Sequence, residues 1–196
     1  PVPPQSQRSR RVSKGKSPGR RGECLKPIDL SLLDSPLDFM AEDHLRTRKI
    51  CALIDQVAAS NGTDHTDVKE VMFFLRDEFP LQMQDKTIDL FPMMHSRCKV
   101  SDEIDSILDR LQFDHGEELE TQPKLTAVLE NLLAGQAEPR PKDWALLVSF
   151  AKHVRRHLIV ENAILLPIAR ARLSASDLGQ LRDTMQQRRQ LNKVVE

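Results

Sequence analysis

The chain has 196 residues, 39% of them hydrophobic and 30% charged, with 29 basic and 29 acidic side chains. This is enough for one domain with a buried core, and a net charge of zero argues against wholesale nucleic-acid binding. No apolar run approaches the roughly 18–20 residues that cross a bilayer. Nor is there an apolar secretory segment near the start, and Cys24, Cys51 and Cys98 have neither disulfide-framework nor zinc-type spacing, so a reducing cytoplasm is the simplest expected home.

Residues 1–27 are rich in Pro, Ser, Gly, Arg and Lys, and Arg8, Arg10, Arg11, Lys14, Lys16, Arg20 and Arg21 have no acid among them. Such a stretch cannot bury enough apolar surface to offset its ordering entropy, so a disordered basic tail is expected there. It is the only feature that suggests nucleic acid. A helical bundle is expected over 28–172, followed by a short helix and polar tail over 173–196.

The first helix is expected to open at Ser35-Pro36, a cap residue and a proline at the first helical position, and to close before Ser60-Asn61-Gly62. Leu37, Met40, His44, Thr47, Cys51, Ile54 and Ala58 step by three and four, which marks one helix face. A second helix is expected from near Thr66 to Pro92-Met93, kinked or interrupted at Pro80. Its inner face reads Met72, Leu75, Phe79, Gln82, Lys86, Leu90. The third is expected from Ser101, with Ile104, Leu108, Leu111, His115 and Leu119 in register, and split or bent by Pro123. The fourth spans about Pro141 to Arg170, with Leu147, Phe150, Val154, His157, Glu161, Ile164 and Ile168 inward. Ser174-x-x-Asp177 has the form of a capping box that opens the short fifth helix. Strand signals are missing, so the expected fold is all-α: an up-down four-helix bundle with an extra C-terminal helix.

Each stripe is interrupted by polar side chains. His44, His115, His157 and Glu161 all fall on inward positions, and burying such groups without partners costs several kcal/mol. Metal-carrying bundles place His and Glu inward from facing helices, and His157 and Glu161 stand about one turn apart. His153 stands one turn before His157, but flanking Arg155 and Arg156 put that edge near solvent, so a ligand role is not expected of it. His65 and His95 sit at helix ends and are expected on the surface, Trp144 is expected to pack at the start of the fourth helix, and the methionines are expected as core filler.

The segment from His157 to Pro167, with Glu161 four residues after His157, resembles the H-x-x-x-E…L-x-P signature of hemerythrin-like (HHE cation-binding) domains, although Leu166 and Pro167 are adjacent here. Asp38 to His44 resembles that family's opening histidine helix. Phe113-Asp114-His115 resembles the histidine of its third helix, and Leu90-Phe91-Pro92 matches the end of its second. The resemblance covers about residues 35–172. It implies a bundle with a non-haem diiron centre used in oxygen binding or sensing, iron handling, or responses to nitric oxide and peroxide. Carried over residue by residue, it implies His44, His115, His157 and Glu161 as metal ligands, with dioxygen or another diatomic molecule as small-ligand partner.

The second helix departs from the family pattern. Counted back from Pro92 as Glu161 and His157 stand from Pro167, the expected Glu falls at Lys86 and the expected His at Gln82. An ammonium beside a metal dication is repulsive and cannot ligate unless deprotonated. Three outcomes follow. One ion binds through His44, His115, His157 and Glu161 with Lys86 turned outward; Lys86 takes the place of one ion and pairs with Glu161 in a metal-free interaction module; or Asp85 or Asp89 replaces the missing Glu. The number of iron ions, one or two, is left open by Gln82 and Lys86, as is the oligomeric state. Phosphate-cradling glycine loops and nucleophile-base pairs are absent, so enzymatic activity has no separate support.

Overall fold

The computed structural model describes residues 27–194, with side chains described to Gln190. The basic tail expected over residues 1–27, and Cys24 with it, lies outside the described residues except for Pro27. Among the described residues there are five helices and no strand. Helix α1 is Pro36–Ala59, α2 covers residues 65–97, α3 is Asp105–Leu133, α4 covers residues 141–172, and α5 is Ala175–Val194. Helix α1 lies beside α2 and α4, α3 lies beside the same two, and α5 packs across α1 and α2.

Helix α1 has its expected bounds, with Pro36 at the first helical position; the Ser35 hydroxyl makes no capping bond. A turn of 3-10 helix, Leu30–Asp34, leads into it, and the Ser35 amide donates to the Leu32 carbonyl. At the far end the chain reverses through two left-handed residues, Asn61 (φ 51°) and Gly62 (φ 68°). Gly62 must be glycine for a second reason: a Cβ there would stand 2.6 Å from Leu132 and 2.9 Å from Trp144. Asp64 then accepts from the amides of Thr66 and Asp67 and opens α2.

Prolines shape α2 and α4 without breaking them. In α2 the chain widens into π-helix at Phe74–Glu78 and again at Asp85–Leu90; in α4 it does so at Glu161–Leu165. Each wide turn ends two residues before a proline. The amides of Phe79, Phe91 and Leu166 donate five residues back, to the carbonyls of Phe74, Lys86 and Glu161. The extra residue relieves the clash of the following proline ring with the turn behind it. It also shifts the buried face of α4: after Glu161 the inward residues are Leu165, Leu166 and Ala169, in place of the expected Ile164 and Ile168. Pro123 does not split α3, which is helical throughout. Leu125, Leu129 and Leu132 pack into the core just beyond it and hold that segment in line.

The core has two apolar ends. One gathers Ile50, Ile54, Val57, Phe74, Phe79, Leu129, Trp144 and Phe150; the other gathers Leu37, Met40, Leu90, Phe91, Leu108, Leu165 and Leu181. Along each of α1 to α4 the residues between these ends are polar and buried. Together they form a belt across the bundle: Asp43, His44 and Thr47; Gln82 and Lys86; Asp114, His115, Glu118 and Gln122; His157 and Glu161.

Helix α5 runs from Ala175 to Val194, through most of the stretch expected as a short helix and polar tail. Ser174 and Asp177 form the expected capping box, Ser174 N donating to Asp177 Oδ2 at 2.9 Å and Asp177 N to Ser174 Oγ at 3.2 Å. Its later turns are held by charge. Arg189 donates to Asp85 Oδ2 at 2.6 Å and stacks over the Phe39 ring at 4.8 Å. Arg188 donates to Asp85 and, at 2.7 Å, to Asp89.

Candidate metal centre

Glu161 is the hub of the belt. It is fully buried, and three helices send nitrogen atoms to it. Lys86 Nζ from α2 donates to both carboxylate oxygens, at 3.0 and 2.8 Å. His44 Nε2 from α1 lies 3.0 Å from Oε2, and His115 Nε2 from α3 lies 3.0 Å from Oε1. Burial alone would raise the Glu161 pKa, but the positive charge of Lys86 and His44 and hydrogen bonds from the two imidazoles hold it well below the usual carboxylate range. Burial holds His115 below its ordinary value, against the pull of Glu161, so its ring is neutral near pH 7.

Hydrogen bonding fixes the tautomer of His44. Asn162 donates from Nδ2 to the Leu158 carbonyl at 2.6 Å, which leaves Oδ1 facing His44 Nδ1 at 3.1 Å. That oxygen only accepts, so Nδ1 carries the proton. Nε2, which faces Glu161 Oε2 at 3.0 Å, then donates to that carboxylate as the imidazolium; in the neutral ring it would be the free lone pair of a metal-binding histidine oriented by an outer carbonyl.

His157 turns away from Glu161 toward α3. Its Nε2 lies 3.2 Å from Asp114 Oδ2 and its Nδ1 lies 3.0 Å from Glu118 Oε1. Burial opposes its protonation, but Glu118, Glu161 and Asp114 together outweigh burial and raise its pKa. The His115 ring sits edge-on to it at 5.4 Å and stacks on Phe91 at 5.6 Å. One donor atom from each of His115, Glu118 and His157 lies within 4.8 Å of the other two.

The unsatisfied polar atoms of the interior gather at this place. Among the described residues, the buried side-chain atoms without a well-aligned hydrogen bond are His44 Nε2, both ring nitrogens of His115, both oxygens of Glu118 and Asp114 Oδ1, although His44 Nε2, His115 Nε2 and Glu118 Oε1 each lie 3.0 Å from an ion-pair partner. Burying polar atoms without good hydrogen bonds costs about 1–3 kcal/mol each, so their gathering at one place marks a strained polar cluster. Two imidazoles and a carboxylate form the donor set of non-haem iron(II) sites. The residues present therefore fit one cation on the α3 side of the hub. They do not fit two, because Lys86 Nζ stands against Glu161 on the α2 side. Gln82, the other departure, points to α1: its Nε2 is 3.3 Å from Asp43 Oδ1 and its Oε1 accepts from Thr47 at 3.1 Å. Burial pushes the Asp43 carboxyl up to about 7, against the opposing charge of Arg189.

The structure thus brings His44, His115 and Glu161 together and places His157 beside them, facing α3. Of the three outcomes open from sequence, the position of Lys86 is that of the second: it is inward and pairs with Glu161. Asp85 and Asp89 do not replace the missing glutamate, because Arg188 and Arg189 of α5 hold them. Glu118 lies inward where Leu119 was expected, and Leu119 is only half-buried. The readable signal was His115-x-x-Glu118, since residues three apart share a helix face as well as residues four apart do. His65 and His95 are exposed as expected, with His95 Nδ1 2.9 Å from Asp105.

An antiparallel helical bundle with a belt of histidines and carboxylates buried between two apolar ends defines a metal-binding helical domain. Comparison with known families agrees: the Hemerythrin HHE cation binding domain matches residues 35–169. That is more than half of the chain, which belongs to the hemerythrin HHE family. No curated protein and no solved structure matches it.

Proposed function

We propose that the bundle binds one non-haem iron ion between His115, Glu118 and His157, with His44 and Glu161 closing the site and Lys86 acting as its second, built-in cation. The observation that carries this reading is that one donor atom from each of the buried His115, Glu118 and His157 lies within 4.8 Å of the other two, with poorly hydrogen-bonded atoms on His115 and Glu118 among them. A bound iron(II) would supply reversible redox chemistry and an affinity for dioxygen or another diatomic molecule. The chain's own residues set the conditions. Glu161 offsets charge, Asn162 orients His44, and the apolar ends exclude water from both sides. The role follows as iron-dependent sensing of oxygen or redox state, or iron handling.

Elemental analysis of the purified full-length chain tests this. About one iron per chain is expected, because three or four first-row ligands remain on only one side of the hub. Two ions, or none after incubation with iron(II) under anaerobic conditions, would overturn it. One observation favours a second reading. Lys86 alone satisfies both oxygens of Glu161, so the same core is also consistent with a metal-free interaction module. Melting curves separate the two, since an ion that binds only the folded state must raise Tm.

A further inference from the structure

The belt does not stop at the buried centre. His153 and His157, one turn apart on α4, have ring centroids 4.8 Å apart. Asp114 reaches across from α3, with Oδ2 3.2 Å from His157 Nε2 and Oδ1 3.9 Å from His153 Nε2. One donor atom from each of the three lies within 4.8 Å of the others. Donors on opposite sides of an ion bound at ~2.1 Å stand ~4 Å apart, so small side-chain rotations close the triad around one ion. Asp114 is 5% exposed and its Oδ1 has no hydrogen-bond partner. His153 is 31% exposed, which opens this triad to solvent where the inner one is sealed.

We propose that Asp114, His153 and His157 form a second, solvent-facing site for a divalent transition-metal ion, which captures the ion and passes it to the buried centre. The passing step rests on the reading of that centre given above; the capture step does not. His157 links the two places because its nitrogens face opposite ways, Nε2 toward Asp114 and Nδ1 toward Glu118. A neutral imidazole has one lone pair, so the ring serves one site at a time. With the ion outside on Nε2, the Nδ1 proton is donated to Glu118. With the ion inside on Nδ1, the Nε2 proton is donated to Asp114, and the outer carboxylate becomes the support that orients a metal-bound histidine. Between these states one proton leaves Nδ1 and one arrives at Nε2, exchanged with solvent on the His153 side, and the ring is neutral in both.

Arg110 is the gatekeeper of this arrangement. Its Nε donates to Asp114 Oδ2 at 3.0 Å, and it is 67% exposed. The guanidinium holds the carboxylate in place and holds its pKa low against burial. It also repels an arriving cation, and from its exposed position it is free to swing into water.

Co2+ titration of the full chain, followed by visible absorption, tests both steps. In a Glu118→Gln background the inner triad lacks its carboxylate, and Co2+ binding that persists there is expected to weaken roughly tenfold or more on adding His153→Ala. Adding Arg110→Ala to the same background should strengthen it. In the otherwise native chain His153→Ala, a half-exposed change that spares the core, should leave final Co2+ occupancy unchanged and slow its filling. Equal Co2+ binding by Glu118→Gln with and without His153→Ala overturns the outer site. A His153-dependent event in Glu118→Gln, with no tighter binding in the native chain, keeps the outer site and removes the inner one. An unchanged filling rate in His153→Ala overturns the passing step.

Discussion

The clearest lesson comes from laying α2 beside α4. Both contain a π-helical turn that ends two residues before a proline, Pro92 in one and Pro167 in the other. Both place a polar residue at equal distance from that proline, and each bonds back to a carbonyl four residues earlier: Thr87 Oγ1 to Met83 at 2.8 Å, Asn162 Nδ2 to Leu158 at 2.6 Å. Each side chain adds a donor to a carbonyl in the turn that leads into the wide segment. The backbones are thus built alike. At the inward positions α4 carries His157 and Glu161, while α2 carries Gln82 and Lys86. The turn geometry that aims ligands inward has been kept in α2 without the ligands, so scaffold and chemistry are separable in this bundle. Opposite charges at matched positions meet at the centre, and Lys86 bonds Glu161.

If that reading is right, α2 can be given back the chemistry of α4. The largest change is expected from Gln82→His combined with Lys86→Glu, which should raise iron content from about one to about two per chain and introduce oxo-bridged absorption. No gain would mean the two helices are not equivalent. Next in size, Lys86→Met strands Glu161 in the interior. Breaking a buried pair in this way costs about 3–5 kcal/mol, and the loss, measured by urea denaturation without metal, should shrink when Co2+ is present.

A smaller effect is expected from Asn162→Ala. It frees His44 Nδ1 and the Leu158 carbonyl, and loss of such an outer partner lowers metal affinity about 10–100-fold; competition with a chelator measures it. Thr87→Val, the counterpart change in α2, should leave metal affinity unaltered. The smallest effect lies outside the pair. Asp177 is held at about 2, first by Arg97 and then by Ser174. A carboxylate depressed in the fold contributes stability above its unfolded pKa near 3.8 and loses it as pH falls toward 2. Asp177→Asn should therefore lower Tm at pH 7 and leave it unchanged near pH 2.

Much of the scaffold was legible from periodicity. The bounds of α1, the inner face of α2 and the inward placing of His44, His115 and Glu161 all follow from steps of three and four, because one buried stripe per helix is what a bundle needs. The prolines were visible too, but not the response to them. A kink, a break and a wide turn all accommodate the same ring, and tertiary packing selects among them: Pro123 is absorbed in plain α-helix while Pro80, Pro92 and Pro167 each follow a π turn. The acidic half of the centre was less legible. Glu118 and Asp114 flank His115 at positions where a stripe drawn through Leu111, His115 and Leu119 leaves them off the face. Only the crossing of α3 with α4 turns them toward His157. Arg188 and Arg189 were hidden for a different reason: a helix polar on most sides gives no periodic signal, and what buries Arg189 is the carboxylates of another helix.

That last contact has a practical consequence. The family match ends at residue 169, whereas the guanidiniums that neutralise Asp85 and Asp89, and the one that faces Asp43 at 4.0 Å, come from residues 188 and 189. A fragment cut at the homology border would keep the matched residues yet leave Asp43, Asp85 and Asp89 without the guanidiniums that face them. The folding unit is therefore longer than the homologous one, and expression boundaries should follow the former.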